Sequence, residues 1–280
     1  MNRIVSVLGL ITALVLMGCT PPKAVLKSSS QVLGELEPHF RVNKPIGAGP
    51  FPTVIVLHGA SDSAWYDHFE NVTAKLNTAG FATVFVDSYK GRGLSGQSLR
   101  GGTLLPPERA SDLLVTLDWA TRQSWVKQAS IGALGYSHGA ATIMDALVLA
   151  PPLKKPDGLT DAPPKGMSPL SAAVLFYPWC SDDVVGIELT KSYDEDWSAD
   201  VPLLAFLPGN DTISDMKICT NILSRHQAKG LPITSIDLPG VGHTFDQKTD
   251  DHGNPQSTYD SRATQRAYGE AIKFLKSNLN

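Results

Sequence analysis

An α/β domain built on a doubly wound, mostly parallel sheet is what this sequence predicts, and three observations carry the prediction. Short apolar, β-branched runs alternate with amphipathic stretches from about residue 50 onward. Clusters of Gly, Pro, Asn and Asp stand between them as turn punctuation. The 280 residues, 42% hydrophobic and 18% charged, are enough for one large core, and no Pro/Gly-rich linker divides them into two.

The first residues stand outside that pattern. Arg3 supplies a positive start, Ile4 to Met17 form an apolar stretch, and the stretch ends at Gly18-Cys19. Fourteen residues are too few to cross a ~30 Å hydrocarbon core comfortably. A short apolar run behind a basic residue reads as a signal peptide. Leu16-Met17-Gly18-Cys19 resembles the lipobox of bacterial lipoproteins, which implies a signal peptide over 1–18 and a lipidated Cys19 as first mature residue. A plain secretory signal or a short anchor helix are the other readings. Thr20 lacks the aspartate of inner-membrane retention, so the expected place is the cell envelope, outer membrane or periplasmic side. Residues 19–33, with TPPK and SSS, are expected to be a flexible tether, and 34–280 the folded domain.

The elements follow in order. Thr53 to Leu57 (TVIVL) is a buried strand ending at His58-Gly59, and Trp65 to Ala79 a helix closed by Gly80. Ala82 to Val86 is the next strand, and Pro107 to Thr121 the next helix, with proline in its tolerated first turn. Ser130 to Leu134 is a short strand leading into LGYSHGAAT, and Gly139 to Leu149 the helix behind it. Residues 151–169 are a Pro-, Gly- and Lys-rich excursion. Strands are expected at Ala172 to Tyr177, Leu203 to Leu207 and Ile233 to Leu238, with helices near 214–229 and 258–277.

Gly135-Tyr136-Ser137-His138-Gly139 fits G-x-S-x-G between a strand and a helix, the context this motif requires. A nucleophile there sits on a sharp turn, and the glycines make room for it. By itself Ser137 is equally a helix-capping serine. Partners decide the matter, because a serine hydroxyl needs a base, and the base an orienting acid. Asp211 follows the strand LLAFL within PGND, and His243 follows ITSIDL within PGVGH, so all three lie at carboxyl ends of strands. An oxyanion would be held by the backbone N–H groups of His138 and of Ala60, with Ser61 second for the latter.

Other candidates read as structural. Asp215, a turn into the next helix, is the fallback acid; Asp237, inside a strand, faces solvent or pairs locally. His58 is expected to be a hydrogen-bonding structural histidine, His226 a solvated residue of an amphipathic helix, and His252 part of a polar loop. Cys180 and Cys219 form a disulfide in an oxidising compartment, or remain two small buried thiols. The histidines are scattered, with no HExxH or CxxC spacing, so no metal and no cofactor are expected. A net charge of −3 without a basic block argues against a nucleic-acid partner.

LHGASDS, VDSYKGRGL, GALGYSHGAAT, AAVLFYPWC, PGNDTISDMKICTNI and LPGVGHTFD together resemble the dienelactone hydrolase family of α/β-hydrolases, over most of residues 35–278. They are most similar to its secreted bacterial branch, whose pattern is G-x-x-DD-W-T-P-x-x-x-C. Here one residue is missing between Gly209 and Asp211, and Thr212 replaces the second aspartate. The resemblance implies the α/β-hydrolase fold, with Ser137, Asp211 and His243 as nucleophile, acid and base, and it sets Cys180 and Cys219 where that branch has its cysteines. The founding members use cysteine in place of Ser137, which directs the expectation to carboxylic esters rather than dienelactone. They also hold a substrate carboxylate with arginines, for which Arg92 is the candidate; an ion pair, with Asp87 for example, is its other reading.

The expected protein is thus a serine esterase with a small-molecule ester substrate, a lipid anchor and no cofactor. Lactone, thioester or amide cleavage, acyl transfer, or a non-catalytic envelope binding protein are the alternatives. Pocket shape is expected to depend on loops 88–106, 151–169 and 180–200.

Overall fold

The computed structural model describes residues 26–61, 65–96, 103–149, 155–180, 195–250 and 252–279. Seven strands form one sheet: β1 (Arg41–Asn43), β2 (Phe51–Leu57), β3 (Ala82–Val86), β4 (Val126–Tyr136), β5 (Leu170–Phe176), β6 (Leu203–Pro208) and β7 (Ile233–Leu238). Their order is β1-β3-β2-β4-β5-β6-β7. β1 runs antiparallel to β3, and every other neighbouring pair is parallel. This is the predicted doubly wound sheet.

The helices are α1 (Ser29–Leu36), α2 (Trp65–Thr78), α3 (Pro106–Ala120), α4 (His138–Leu147), α5 (Met216–Ala228) and α6 (Ser261–Leu279). Alternation along each strand builds a core on both faces. In β2, Val54 and Val56 join the cluster made with α2 and α6, while Ile55 and Leu57 join the one made with α1, α3, α4 and α5. None of the described helices is long and apolar enough to cross a membrane.

Three elements differ from expectation. The tether expected over 19–33 stops short, because Ser28 caps α1 in a reciprocal capping box with Gln31, and Val32 and Leu36 are buried. The SSS run looked like linker, but a serine followed three residues later by glutamine is also a helix start. β4 begins at Val126, four residues early; residues 127–129 are exposed and broke the apolar run. β1 went unread because three residues, with both ends exposed, carry no alternation to detect.

Residues 1–19, including Cys19, lie outside the described residues, as do parts of the three pocket loops at 97–102, 150–154 and 181–194.

Candidate active site

The chain reverses its winding around β2, whose neighbours β3 and β4 lead to opposite sides of the sheet. Crevices form at the carboxyl ends of strands near such a point. There β4 passes into α4 through Ser137, whose φ of 49° and ψ of −114° lie outside the ordinary regions for a non-glycine residue. The turn is possible only with both flanking glycines. A Cβ on Gly135 would lie 2.6 Å from the Gly139 carbonyl oxygen, and one on Gly139 2.4 Å from that of Leu57. The same closeness sets the end of β2 directly against the elbow.

Ser137, His243 and Asp211 come together in one hydrogen-bonded line. His243 Nε2 lies 2.9 Å from Ser137 Oγ, and His243 Nδ1 lies 2.5 Å from Asp211 Oδ2. The side chains of His243 and Asp211 are 4% and 0% exposed, so water hardly competes for these bonds. The other Asp211 oxygen, Oδ1, accepts from the N–H groups of Ile213 and Ser214, which fixes the carboxylate in its loop. The loops of acid and base are tied together by Asn210 N–H, which donates to the Val241 carbonyl. The disulfide between Cys180 and Cys219 is formed, joining the segment after β5 to α5. Ser214 Oγ reinforces the junction by donating to Pro178 O and accepting from Cys180 N–H.

Below the imidazole is a buried support that sequence reading missed. The Tyr177 ring packs on His243 at 4.8 Å, and its hydroxyl donates to Asp246 Oδ1. Asp246 Oδ2 accepts from Tyr268 and faces His68 Nε2 at 3.3 Å. Burial pushes the Asp246 carboxyl up, but His68 and the two hydroxyls more than offset this and hold it below the ordinary carboxylate range. Burial, with the Asp246 charge, raises Tyr177 and Tyr268 well above the ordinary phenol value, so both remain donors. Two tyrosines and an acid on separate elements leave no local motif; only their meeting point shows them as a set.

The remaining candidates are placed as follows. His138 opens α4, so its N–H has no intrahelical acceptor. Its ring is buried and stacked on Trp179. Ala60 follows Gly59, whose carbonyl accepts from Tyr89 Oη and His58 Nδ1. In a trans peptide the Ala60 N–H must point the opposite way, away from those two donors. His58 is structural, as expected: Ser88 N–H donates to its Nε2. The Arg92 guanidinium, the candidate for a substrate carboxylate, is engaged within the protein. It makes a two-pronged contact with Asp112 (2.9 and 2.6 Å) and also bonds Ser88 O, and the Arg92 side chain is 8% exposed. Asp87, the partner suggested from sequence, instead accepts from the N–H groups of Tyr89 and Lys90. Asp215 is no spare acid, since it caps α5 by accepting from Lys217 N–H. His226, expected in solvent, is fully buried against Trp197, ring centroids 4.2 Å apart. Among the described residues, no group of three or more His, Cys, Asp or Glu is arranged to hold a metal.

Fold and site together define the class: an α/β-hydrolase with Ser, His and Asp aligned at the carboxyl edge of its sheet. Over residues 162–279, the stretch carrying Asp211 and His243, the chain matches the model of the dienelactone hydrolase family. No curated protein matches the sequence. Among solved structures it is similar to a Klebsiella pneumoniae protein provisionally named dienelactone hydrolase (15% identity, TM-score 0.65, covering 85% of this chain and 92% of that one). It is also similar to Thermogutta terrifontis esterase 2 (16% identity, TM-score 0.63, 91% and 94%). A third likeness is to a dienelactone hydrolase-like promiscuous phosphotriesterase from metagenomic libraries (18% identity, TM-score 0.62, 86% and 92%).

Proposed function

We propose that this protein is an exported serine hydrolase that cleaves carboxylic esters through an acyl-enzyme on Ser137. The observation that carries the reading is the buried line from Ser137 Oγ through His243 to Asp211, mounted on a strained elbow. His243 Nε2 takes the hydroxyl proton as Oγ attacks the ester carbonyl. The tetrahedral oxyanion faces the N–H groups of His138 and Ala60 and the positive end of α4. Collapse expels the alcohol, which receives the proton from His243. Water, activated by the same imidazole, then attacks the acyl-enzyme and releases the acid. Asp211 holds the proton of the neutral imidazole on Nδ1 and stabilises the imidazolium when it forms.

The similar structures support this chemistry. Thermogutta terrifontis esterase 2 is phosphorylated by paraoxon and phosphonylated by sarin, and has also been solved with propionate bound. Export is supported by the N-terminal sequence and by the Cys180–Cys219 bond, since disulfides persist in oxidising compartments. We place the mature protein in the envelope, anchored by lipid on Cys19.

Ser137→Ala is expected to abolish hydrolysis of short p-nitrophenyl esters by the form lacking residues 1–19, with the fold retained. Turnover at the wild-type rate would overturn the assignment. For the anchor, Cys19→Ser should release the full-length protein from the membrane fraction and remove incorporation of labelled fatty acid. An unchanged membrane fraction would count against lipidation.

A further inference from the structure

α3 carries an arginine in its first turn, Arg109, that is fully buried. Its Nε donates to Ser88 Oγ at 2.8 Å, and its Nη1 to the His58 carbonyl at 2.8 Å and to His138 Nδ1 at 3.1 Å. No carboxylate forms an ion pair with it among the described residues, and its Nη2 has no acceptor among them. A buried cation without a direct counter-ion is expensive, and an apolar side chain in this helix would avoid the cost. The groups it holds indicate what the cost supports. His58 opens the loop that leads to Ala60, and His138 is the residue after Ser137.

We propose that Arg109, acting with His58 and Tyr89, is the positioning element of the oxyanion hole, locking the Gly59–Ala60 peptide and the nucleophile elbow into one register. This rests on the esterase reading above and assigns a role to residues outside the triad. The protons are determined throughout. Ser88 N–H can only donate, so His58 Nε2 accepts, and the His58 proton sits on Nδ1, where it reaches the Gly59 carbonyl at 2.7 Å. Tyr89 Oη donates to the same carbonyl at 3.0 Å. Two donors on one oxygen fix that peptide plane, and with it the direction of the Ala60 N–H. Arg109 can likewise only donate, so His138 Nδ1 accepts, and the start of α4 is coupled to the end of β2 through one guanidinium. Burial, then the Arg109 charge, drives both histidines well below their ordinary range, so neither tautomer is lost at neutral pH. The Tyr89 ring packs edge-on against His58 at 4.4 Å and lies below the guanidinium at 6.0 Å, completing the assembly.

The test uses Arg109→Met and the milder Tyr89→Phe, which deletes only the hydroxyl on Gly59 O. Both are measured in the form lacking residues 1–19, with an oxygen ester and its thiono counterpart. A hole fitted to oxygen discriminates against the larger sulfur, which accepts hydrogen bonds weakly, and a loosened hole discriminates less. Loss of a complete donor costs roughly 10²–10³ in kcat, so displacement of one should cost about 10- to 100-fold. The expected result is a fall of that size for the oxygen ester with KM unchanged, and a smaller ratio of oxygen- to thiono-ester rates in both variants. Folding is followed by near-ultraviolet circular dichroism, and Tyr89→Phe carries the test if Arg109→Met does not fold. A folded Tyr89→Phe with the wild-type kcat and the wild-type rate ratio overturns the proposal. Full turnover by Ser137→Ala would instead overturn the esterase reading beneath it.

Discussion

Reducing the Cys180–Cys219 bond is the perturbation whose size follows most directly from the structure. The bridge spans a sequence separation of 39 residues, with Cα atoms 5.4 Å apart. The closed loop contains β6 and the whole acid segment around Asp211. In the chain-entropy account, a cross-link stabilises by restricting the unfolded ensemble, and a loop of this length gives about 3.9 kcal/mol at 25 °C. For a domain of this size, each kcal/mol moves the melting midpoint by about 2–4 °C, so reduction should lower it by about 8–16 °C. The assay is thermal unfolding of the form lacking residues 1–19, with and without dithiothreitol. A thiol titration of the oxidised unfolded protein should find no free cysteine. Below the lowered midpoint kcat should hold, because Asp211 is fixed by Ile213 and Ser214 N–H groups rather than by sulfur. Equal midpoints with and without reductant would refute the reasoning, because the bond would then not be restricting the unfolded chain.

Arg92→Met is expected to destabilise by about 3–5 kcal/mol while leaving KM unchanged for carboxylate-bearing esters, since it strands the buried Asp112 rather than freeing a substrate site. A raised KM with an unchanged urea midpoint would return Arg92 to substrate binding. Acid should also weaken the fold. His58 and His138 are held neutral by burial and the neighbouring Arg109, and His226 is pushed down to about 4 by burial and Arg225. Their folded values lie below the unfolded value of about 6.5, so the unfolded chain binds the extra protons. Stability is therefore complete above that pH and falls progressively below it as the unfolded chain takes up the protons that folded His58 and His138 do not. Urea midpoints that do not fall between about pH 7.5 and about pH 5.5 would contradict this.

The sequence by itself determined the six parallel strands, the elbow and the three residues set around it. β-Branched runs such as TVIVL have the composition of buried parallel strands, and each chemical residue stands directly after one of them. The steric demand at Gly135 was also local, since a Cβ there meets the backbone of Gly139 and Ala140, whereas at Gly139 it is the end of β2 that leaves no room. A chemistry that depends on strand ends is legible because strand ends are legible.

What only the tertiary structure decided is how the polar residues between those strands are divided between chemistry and support. Arg92, close in sequence to a strand end, is occupied by Asp112 twenty residues away. Asp215 caps a helix, and His226 is buried under Trp197, though its helix pattern suggested solvent. Arg109, which no sequence motif marks, bridges Ser88, His58 and His138. The pairing of Cys180 with Cys219 was likewise decided in three dimensions. The physical reason is common to all of them. A polar side chain takes its role from the partner that satisfies it once water is excluded, and that partner is brought by the packing of other elements rather than by neighbours in the chain.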